Sequence, residues 1–330
     1  MPSPRTTRQF EQRMAEVLQV RPAQVRTMFR GARPSSVRVN RLLDEENFQS
    51  TLHRLREAAP GVTPLDWCEH AFLWPENDGF DDVMALAHEG RVYVQNASSL
   101  IPPVALAPRP GDRILDVAAA PGGKAFHLAA RVRGDCFLWL NDAAAPRARK
   151  LGELADLYGV RYAELTTHPA QYVDKWLPAE SFDRILLDVQ CSGEGRIDLR
   201  RPSGLRFWSE ERIEKYKFLQ TKMLSAAYRL LRPGGVMVYS TCTLSPEENE
   251  FPVSRILQRH ADLTLEPLGF TEPCFRPGLT SWRGTKFDPR LTDAVRVAPT
   301  EVFEGFFVAR IAKGGTVTGS SAAPEPSAGP

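Results

Sequence analysis

The stretch Arg113-Ile-Leu-Asp-Val-Ala-Ala-Ala-Pro-Gly-Gly-Lys-Ala125 decides how the rest of the chain is read. A short apolar run, Ile114 to Val117, gives way to small residues and then to Pro121-Gly122-Gly123. An amphipathic run follows from Lys124 to Val132, with Phe126, Leu128, Ala129 and Val132 on its apolar side. Strand, tight glycine turn and helix form the unit that brings a backbone close to a nucleotide at a helix N-terminus. The stretch lacks the G-x-x-x-x-G-K-[ST] spacing of a phosphate-cradling loop, with Ala125 where a hydroxyl would meet magnesium, and it lacks G-x-G-x-x-G. On spacing alone the turn is either structural or a ligand site. Two later cysteine segments break that tie.

Downstream of residue 111 the pattern alternates. Strands are expected at 113–118, 136–141, 161–166, 182–189 and 235–241, with helices at 124–132, 146–158, 210–231 and 247–259 between or after them. Apolar, two-sided strands alternating with helices predict an α/β fold with a doubly wound, mainly parallel sheet, whose function lies at the carboxyl ends of the strands. Upstream, residues 1–90 read as a smaller α+β unit. It comprises a helix at 10–20 (Phe10, Met14, Val17 and Leu18 inward), an alternating strand at 37–43, a helix at 46–58 and an aromatic-rich segment at 67–74. Residues 91–313 form the second unit, entered through Pro102, Pro103, Pro108 and Pro110. From residue 314 the Gly, Ser, Thr, Ala and Pro composition cannot bury a core, and disorder is expected.

Composition narrows the class without naming it. A chain of 330 residues has room for two domains, and its net charge of +2 does not announce a nucleic-acid binder. The distribution says more: arginines 5, 8, 13, 21, 26, 30, 33, 38 and 41 face only Glu11 and Glu16 over the same span. That run is either a solvated helical face or a phosphate-facing patch. The five cysteines are odd in number and widely spaced, with no zinc-type Cys/His cluster and no disulfide framework, so no metal is expected. No apolar run approaches membrane-spanning length, and the N-terminus has no signal-type apolar segment. An arginine-rich start is compatible with a mitochondrial presequence, against which Glu11 and Glu16 count. A cytoplasmic monomer is the expectation.

Three acidic or thiol positions stand at expected strand ends. Asp142 closes Trp139-Leu-Asn-Asp142, where a carboxylate can accept hydrogen bonds from a ribose or can simply begin the helix before Pro146. The fourth strand runs out through Asp183-Arg-Ile-Leu-Leu-Asp-Val-Gln-Cys-Ser-Gly-Glu-Gly195, placing Asp188 and Cys191 at the active edge. The fifth runs out through Val238-Tyr-Ser-Thr-Cys-Thr-Leu-Ser-Pro-Glu-Glu-Asn-Glu250, placing Cys242 one strand over. A lone cysteine is usually a small buried hydrophobe. Two at neighbouring strand ends, beside a nucleotide-type turn, point to chemistry.

Asp116-Val-Ala-Ala-Ala-Pro-Gly-Gly-Lys124, Leu187-Asp-Val-Gln-Cys-Ser-Gly-Glu-Gly195 and Ser240-Thr-Cys-Thr-Leu-Ser-Pro-Glu-Glu-Asn-Glu250 together resemble three signature motifs of the RNA (cytosine-5) methyltransferase family, the Sun/Fmu-like enzymes. Tyr93-Val-Gln-Asn-Ala-Ser-Ser99 is similar to the motif that precedes them, and Arg38-Val-Asn-Arg41 to the family's N-terminal domain. Asp66-Trp-Cys-Glu69 is similar to a stretch of the bacterial members that act on 16S rRNA. The resemblance covers roughly residues 10–312. It implies a Rossmann-like, S-adenosylmethionine-dependent fold closed by an antiparallel strand at Glu304-Gly-Phe-Phe-Val-Ala-Arg310. It further implies that Ala119, Ala120, Pro121, Gly122, Gly123, Lys124, Asp142, Arg147 and Asp188 line the S-adenosylmethionine site. By the same resemblance Cys242 is the nucleophile, and Cys191 is needed for product release.

The chemistry is consistent with that assignment. Cytosine C5 is too poor a nucleophile to take a sulfonium methyl unaided, and a thiolate added at C6 makes it enamine-like. Cysteine suits the step because a few per cent is already thiolate near neutrality, and a positive neighbour raises the fraction. Asp188 must be protonated, or share a proton with the base, to help at N3. Lys124 can tune either group or be structural. The base must be single-stranded or flipped out to reach them. The expected activity is RNA cytosine-5 methylation, on 16S rRNA first and tRNA as the alternative; a non-catalytic RNA-binding or ribosome assembly protein is the reading from another class. Two positions depart from the family pattern: Gln190 stands where a proline precedes the cysteine, and Pro169 where an aspartate is usual near the adenine. The large bacterial members carry a further C-terminal RNA-binding domain, so RNA recognition is expected from the N-terminal unit and its arginines.

Overall fold

The computed structural model describes residues 4–30, 33–75 and 78–315, so the segment expected to be disordered lies, from residue 316 onward, outside the described residues. Helices α1 (Pro4–Leu18) and α2 (Pro22–Met28) come first. Then follow β1 (Ser35–Val39), α3 (Glu45–Ala58), β2 (Thr63–Pro64), β3 (Ala71–Trp74), α4 (Phe80–His88) and β4 (Val92–Gln95). The four strands pair antiparallel in the order β2-β3-β1-β4. Asp44 starts α3 by accepting the Asn47 amide at 2.9 Å, with Glu45 and Glu46 in the first turn where the helix dipole favours them. The helix buries Phe48 and Leu55 against Val37, Val39 and Trp74 of the sheet. Strand β4 pairs with β1 (Val37 opposite Val94), so the small sheet uses the chain beyond residue 90, as far as residue 95.

Helices α1 and α2 do not join that sheet. Phe10, Met14, Val17, Val25 and Phe29 are buried against Ile197, Leu205, Trp208 and Leu244. Phe10 meets Phe29 and Trp208 edge-on at 5.2 and 5.5 Å. Helices α1 and α2 therefore pack on the second unit rather than on the small sheet.

That unit contains α5 (Ile101–Leu106), β5 (Arg113–Asp116), α6 (Gly123–Arg131), β6 (Phe137–Asn141), α7 (Ala145–Leu157) and β7 (Glu164–Thr166). It continues with β8 (Phe182–Asp188), α8 (Glu210–Leu230), β9 (Leu231–Thr241), α9 (Glu250–Arg259) and β10 (Leu263–Glu266). Strand β11 (Phe275–Pro277), the small hairpin β12 (Ser281–Trp282) and β13 (Thr285–Lys286), β14 (Val295–Val297) and β15 (Phe306–Lys313) complete it. The main sheet has the order β11-β14-β15-β9-β8-β5-β6-β7, with β10 added on β15. Strands β5 to β9 are parallel, and β15 runs antiparallel to β9, as the resemblance implied.

The sheet is covered on both faces. Ile114, Leu186 and Val238 face α5, α6 and α7, while Leu115, Ile185, Leu187 and Met237 face α8 and α9. This alternation along each strand, with Phe182 to Leu187 all buried, is why the strands read as two-sided. The chain leaves β5 outward through β6 and β7, then returns to β8 on the other side of β5. That reversal opens a crevice beyond the carboxyl ends of β5 and β8, the expected ligand position in a doubly wound sheet. The expected helix at 247–259 begins only at Glu250, because Asn249 is occupied in a tight turn through bonds with Thr241 and Thr243.

Candidate active site

The glycine turn is shaped by what crowds it. Gly122 has φ +115°, and a Cβ there would lie 2.3 Å from the Phe126 ring. A Cβ on Gly123 would lie 2.7 Å from Gln95 Oε1 and 2.8 Å from the Tyr93 ring. Glycine is therefore needed for the turn to bend and for β4 to approach the start of α6. Asp142, 2% exposed, ties the turn to the second strand. Its carboxylate accepts the Ala120 amide at 3.3 Å and the Ala144 amide at 3.1 Å. Arg147 closes the arrangement, 3.3 Å from that carboxylate and donating to the Ala120 carbonyl at 2.5 Å. Asp142 thus fixes the approach to α7 and also holds the turn.

Two adjoining cavities, about 200 and 370 Å³, fill the crevice. Both are lined by Ser99, Ala118, Ala120, Pro121, Lys124 and Asp188. The smaller adds Tyr93, Gln95, Asp116, Ala119 and Gly123; the larger adds Asn96, Arg147, Gln190, Arg196, Cys242 and Glu304. Of the expected cofactor residues, Ala119 to Pro121, Gly123, Lys124, Arg147 and Asp188 line the crevice. Gly122 and Asp142 stand behind its wall. The sequence reading missed Asp116, Tyr93, Gln95 and Ser99 as site residues, although each lies inside a quoted motif. Their spacing marked the motif; only the packing of β4 against α6 puts them on the crevice.

Charge in the crevice is arranged around Lys124. Its ammonium lies 2.8 Å from Asp188 Oδ2, and Asp188 Oδ1 accepts the Ser240 hydroxyl at 2.8 Å. Burial opposes the Lys124 charge, but Asp188, Cys242 and Asp116 outweigh it and hold the group above its usual value. Burial raises the Asp116 carboxyl to about 7. Gln95 Nε2 is a buried donor without a partner in the same crevice.

The two cysteines meet with their sulfurs 3.3 Å apart. Cys242 lines the larger cavity and Cys191 does not. The hydrogen bond from the Cys191 thiol pulls Cys242 below the ordinary thiol range, with Arg196 and Lys124 adding in the same direction against burial. The same bond, with burial, pushes Cys191 well above that range. The pair is asymmetric in its surroundings, since Cys242 faces open space and Cys191 does not.

The loops bearing the cysteines are stitched together below the crevice. Glu194, fully buried, accepts Thr243 and Ser245 hydroxyls at 3.0 and 2.8 Å and the Trp208 ring N–H at 2.8 Å. Glu248 accepts the Ser192 amide at 2.9 Å and Gln220 Nε2 at 3.1 Å; burial raises it to about 7. Gln220 also donates to the Gln190 carbonyl at 2.9 Å. A side-chain amide therefore tethers the backbone where a proline was expected. At the other departure, His168 is fixed by Asn141 through both its amide and its carbonyl, at 2.9 and 3.0 Å, and Pro169 precedes a short helical turn at Ala170–Lys175.

The N-terminal arginines do not form one surface. Arg13 is 3% exposed and reaches from α1 to Ser245 at 3.0 Å, Glu247 at 2.6 Å and Glu194 at 3.6 Å. Arg26 pairs with Glu11, and Arg33 donates to the carbonyls of Met28, Thr300 and Phe303. Arg38 is buried, whereas Arg5, Arg8, Arg21 and Arg30 are exposed. Of the run read as either a solvated face or a phosphate-facing patch, Arg5, Arg8, Arg21 and Arg30 stay exposed, while Arg13 and Arg33 are drawn to carboxylates and carbonyls that a linear count cannot reveal.

The family described as 16S rRNA methyltransferase RsmB/F matches residues 103–312. Ribosomal RNA small subunit methyltransferase F of Escherichia fergusonii is 36% identical over 260 residues, which is 76% of this chain and 52% of that protein. The protein of the same name from Aliivibrio fischeri is 34% identical over 290 residues, 86% of this chain and 58% of that protein. The chain spans about half the length of the curated relatives it matches. Among solved structures, a methyltransferase homolog protein from Pyrococcus horikoshii superposes with TM-score 0.72 at 28% identity, over 94% of this chain and all of that one. NSun6 from the same organism, 21% identical with TM-score 0.70 over 88% of this chain and 94% of that one, shares the fold.

Proposed function

The chain belongs to the 16S rRNA methyltransferase RsmB/F family, and from that premise we propose that it is an S-adenosylmethionine-dependent RNA cytosine-5 methyltransferase with Cys242 as nucleophile. The observation that carries the reading is the cysteine pair, its sulfurs 3.3 Å apart, with Cys242 on the crevice beside Lys124 and Asp188 and Cys191 behind it. S-adenosylmethionine suits the crevice chemically. The Asp116 and Asp188 carboxyl groups suit a cationic ligand, Gln95 Nε2 offers an unused donor, and a Cβ at Gly123 would press on the lining residues Gln95 and Tyr93. Ala119, Ala120, Pro121, Gly123, Lys124 and Arg147 would hold it, with Gly122 and Asp142 supporting them from behind. When bound, it supplies an electrophilic methyl group.

The protein's own groups do the rest. Cys242 thiolate adds to C6 of a flipped-out cytosine, and the displaced π electrons move to N3. The Lys124–Asp188 pair meets them there: the ammonium can pass a proton through the carboxylate, so Asp188 shares a proton rather than owning one. C5, now enamine-like, would accept the methyl, and its proton then passes to water. The C5–H electron pair re-forms C5=C6 as the C6–S bond breaks and Cys242 leaves as a thiolate, and the N3 proton returns to the Lys124–Asp188 pair. The Cys191 S–H bond, with Lys124 and Arg196 nearby, stabilises the departing thiolate and so assists release.

The substrate is read as small-subunit rRNA because the relatives from Escherichia fergusonii and Aliivibrio fischeri carry that substrate in their names; a cytoplasmic monomer remains part of the same proposal. Among the described residues no helix is long and apolar enough to cross a membrane. Labelled methyl appearing in tRNA and not in rRNA would move the substrate to tRNA. The non-catalytic reading rested on Gln190 and Pro169, and the tether from Gln220 weakens it. The decisive test mixes Cys191→Ala with S-adenosylmethionine and unmodified total RNA. A covalent protein–RNA adduct on a denaturing gel, absent from Cys191→Ala/Cys242→Ala, is expected. RNA binding without any adduct, and without methyl transfer by the wild type, would turn the reading to a binding factor.

A further inference from the structure

Away from the crevice, a third cavity of about 100 Å³ lies between β1, the 69–70 turn and the distal half of α6, and shares no lining residue with the other two. Its volume corresponds to about three waters of liquid, room for one tetrahedral oxyanion. Arg38 and His127, 4% and 2% exposed, are its buried polar members. Arg41, Arg131 and Arg133 surround them, with Glu69 already 3.0 Å from His70.

Two buried polar atoms here have no partner. Arg38 Nε meets no acceptor, and among the described residues no carboxylate lies within ion-pair distance of that guanidinium. The Tyr93 ring lies 5.9 Å from that guanidinium. His127 Nδ1 is also without a partner, while Nε2 lies 3.9 Å from the Cys68 sulfur. A buried, unpaired guanidinium is costly unless something anionic completes it. Arg131, in the last turn of α6, complements the helix dipole, but that role does not explain Arg38 or His127.

We propose that this cavity is a phosphate-binding site, held by Arg38 and His127 from below and by Arg131, Arg133 and Arg41 around it. Guanidinium forks match a phosphate's oxygens bidentately, and a neutral imidazole donates through Nδ1–H when Nε2 accepts from the Cys68 thiol. The phosphate belongs to an RNA backbone or is free phosphate. Either would bridge the small sheet to α6, the helix whose first turn carries Lys124. The site does not depend on methyl transfer.

Thermal unfolding of the full chain is followed in inorganic phosphate and in chloride at equal ionic strength. Binding of a fluorescein-labelled single-stranded oligoribonucleotide is measured against salt in parallel. Phosphate should raise the unfolding temperature of the wild type by mass action. The gain should vanish in Arg38→Met and weaken in Arg131→Gln/Arg133→Gln, whose exposed positions keep the test available if Arg38→Met does not fold. If the source is RNA, both variants bind the oligonucleotide roughly tenfold more weakly, and Arg38→Met lowers the salt slope by about one. If the source is free phosphate, the oligonucleotide is unaffected and the phosphate effect alone is lost. The proposal is overturned if folded variants match the wild type in both measurements. No arm reads methyl transfer, so its failure is separate from any failure of the catalytic reading.

Discussion

A single hydrogen bond sets the asymmetry of the cysteine pair. Cys242 is drawn below the ordinary thiol range because Cys191 donates to it, so removing that donor raises Cys242 again. The pH profile of iodoacetamide labelling at Cys242 should therefore move to higher pH in Cys191→Ala; an unmoved profile would show that Lys124 and Arg196 suffice. At Gln190 the carbonyl is held by Gln220. Gln220→Leu should slow single-turnover methyl transfer by roughly tenfold or more, since small displacements of reacting groups are costly. An unchanged rate would mean that the backbone beside Cys191 needs no tether. Neither effect was legible in the sequence. It marked both cysteines by their places at strand ends, but the 3.3 Å between their sulfurs depends on two loops meeting.

At the scale of elements, α1 acts as a strut under the catalytic loops. Arg13 and Glu194 are both almost fully buried, and Arg13 also holds Ser245 and Glu247. Arg13→Met removes the buried cation beside Glu194 and the partner of Glu247, leaving Glu194 to its hydrogen bonds alone, and should destabilise by about 2–4 kcal/mol. Adding Glu194→Gln should recover part of that loss in urea unfolding; strict additivity would show that the two do not interact. The glycine turn behaves differently. Gly122→Ala forces an L side chain into φ +115° against the Phe126 ring and should cost at least about 1 kcal/mol. Urea midpoints equal to wild type would remove the steric account of the turn. The turn was legible because its reason is local: small residues, two glycines and a helix-period run lie within a dozen positions. The strut was not, because α1 reads the same whether its arginines meet solvent, RNA or Glu194.

For the whole molecule, burial raises Asp116 and Glu248 to about 7, well above the roughly 4 of an unfolded carboxyl. Between those values the folded state binds more protons than the unfolded one. The contribution of these groups to stability therefore grows as pH falls from 7 towards 4, and they disfavour folding above 7. Unfolding temperature should drop less between pH 6 and about 8 in Asp116→Asn/Glu248→Gln than in the wild type; equal slopes would assign the dependence elsewhere. The sequence by itself determined the alternation of strands and helices, the glycine turn and the places of Asp188, Cys191 and Cys242 at strand ends, since periodicity and turn chemistry act over a few residues. Only the tertiary structure decided the strand order, the reach of the small sheet to residue 95, the Lys124–Asp188 pair and the burial of Arg13 and Arg38. Those follow from packing between segments as far apart as Arg13 and Glu247, where no local preference operates and the partner a charge finds depends on the fold of the whole chain.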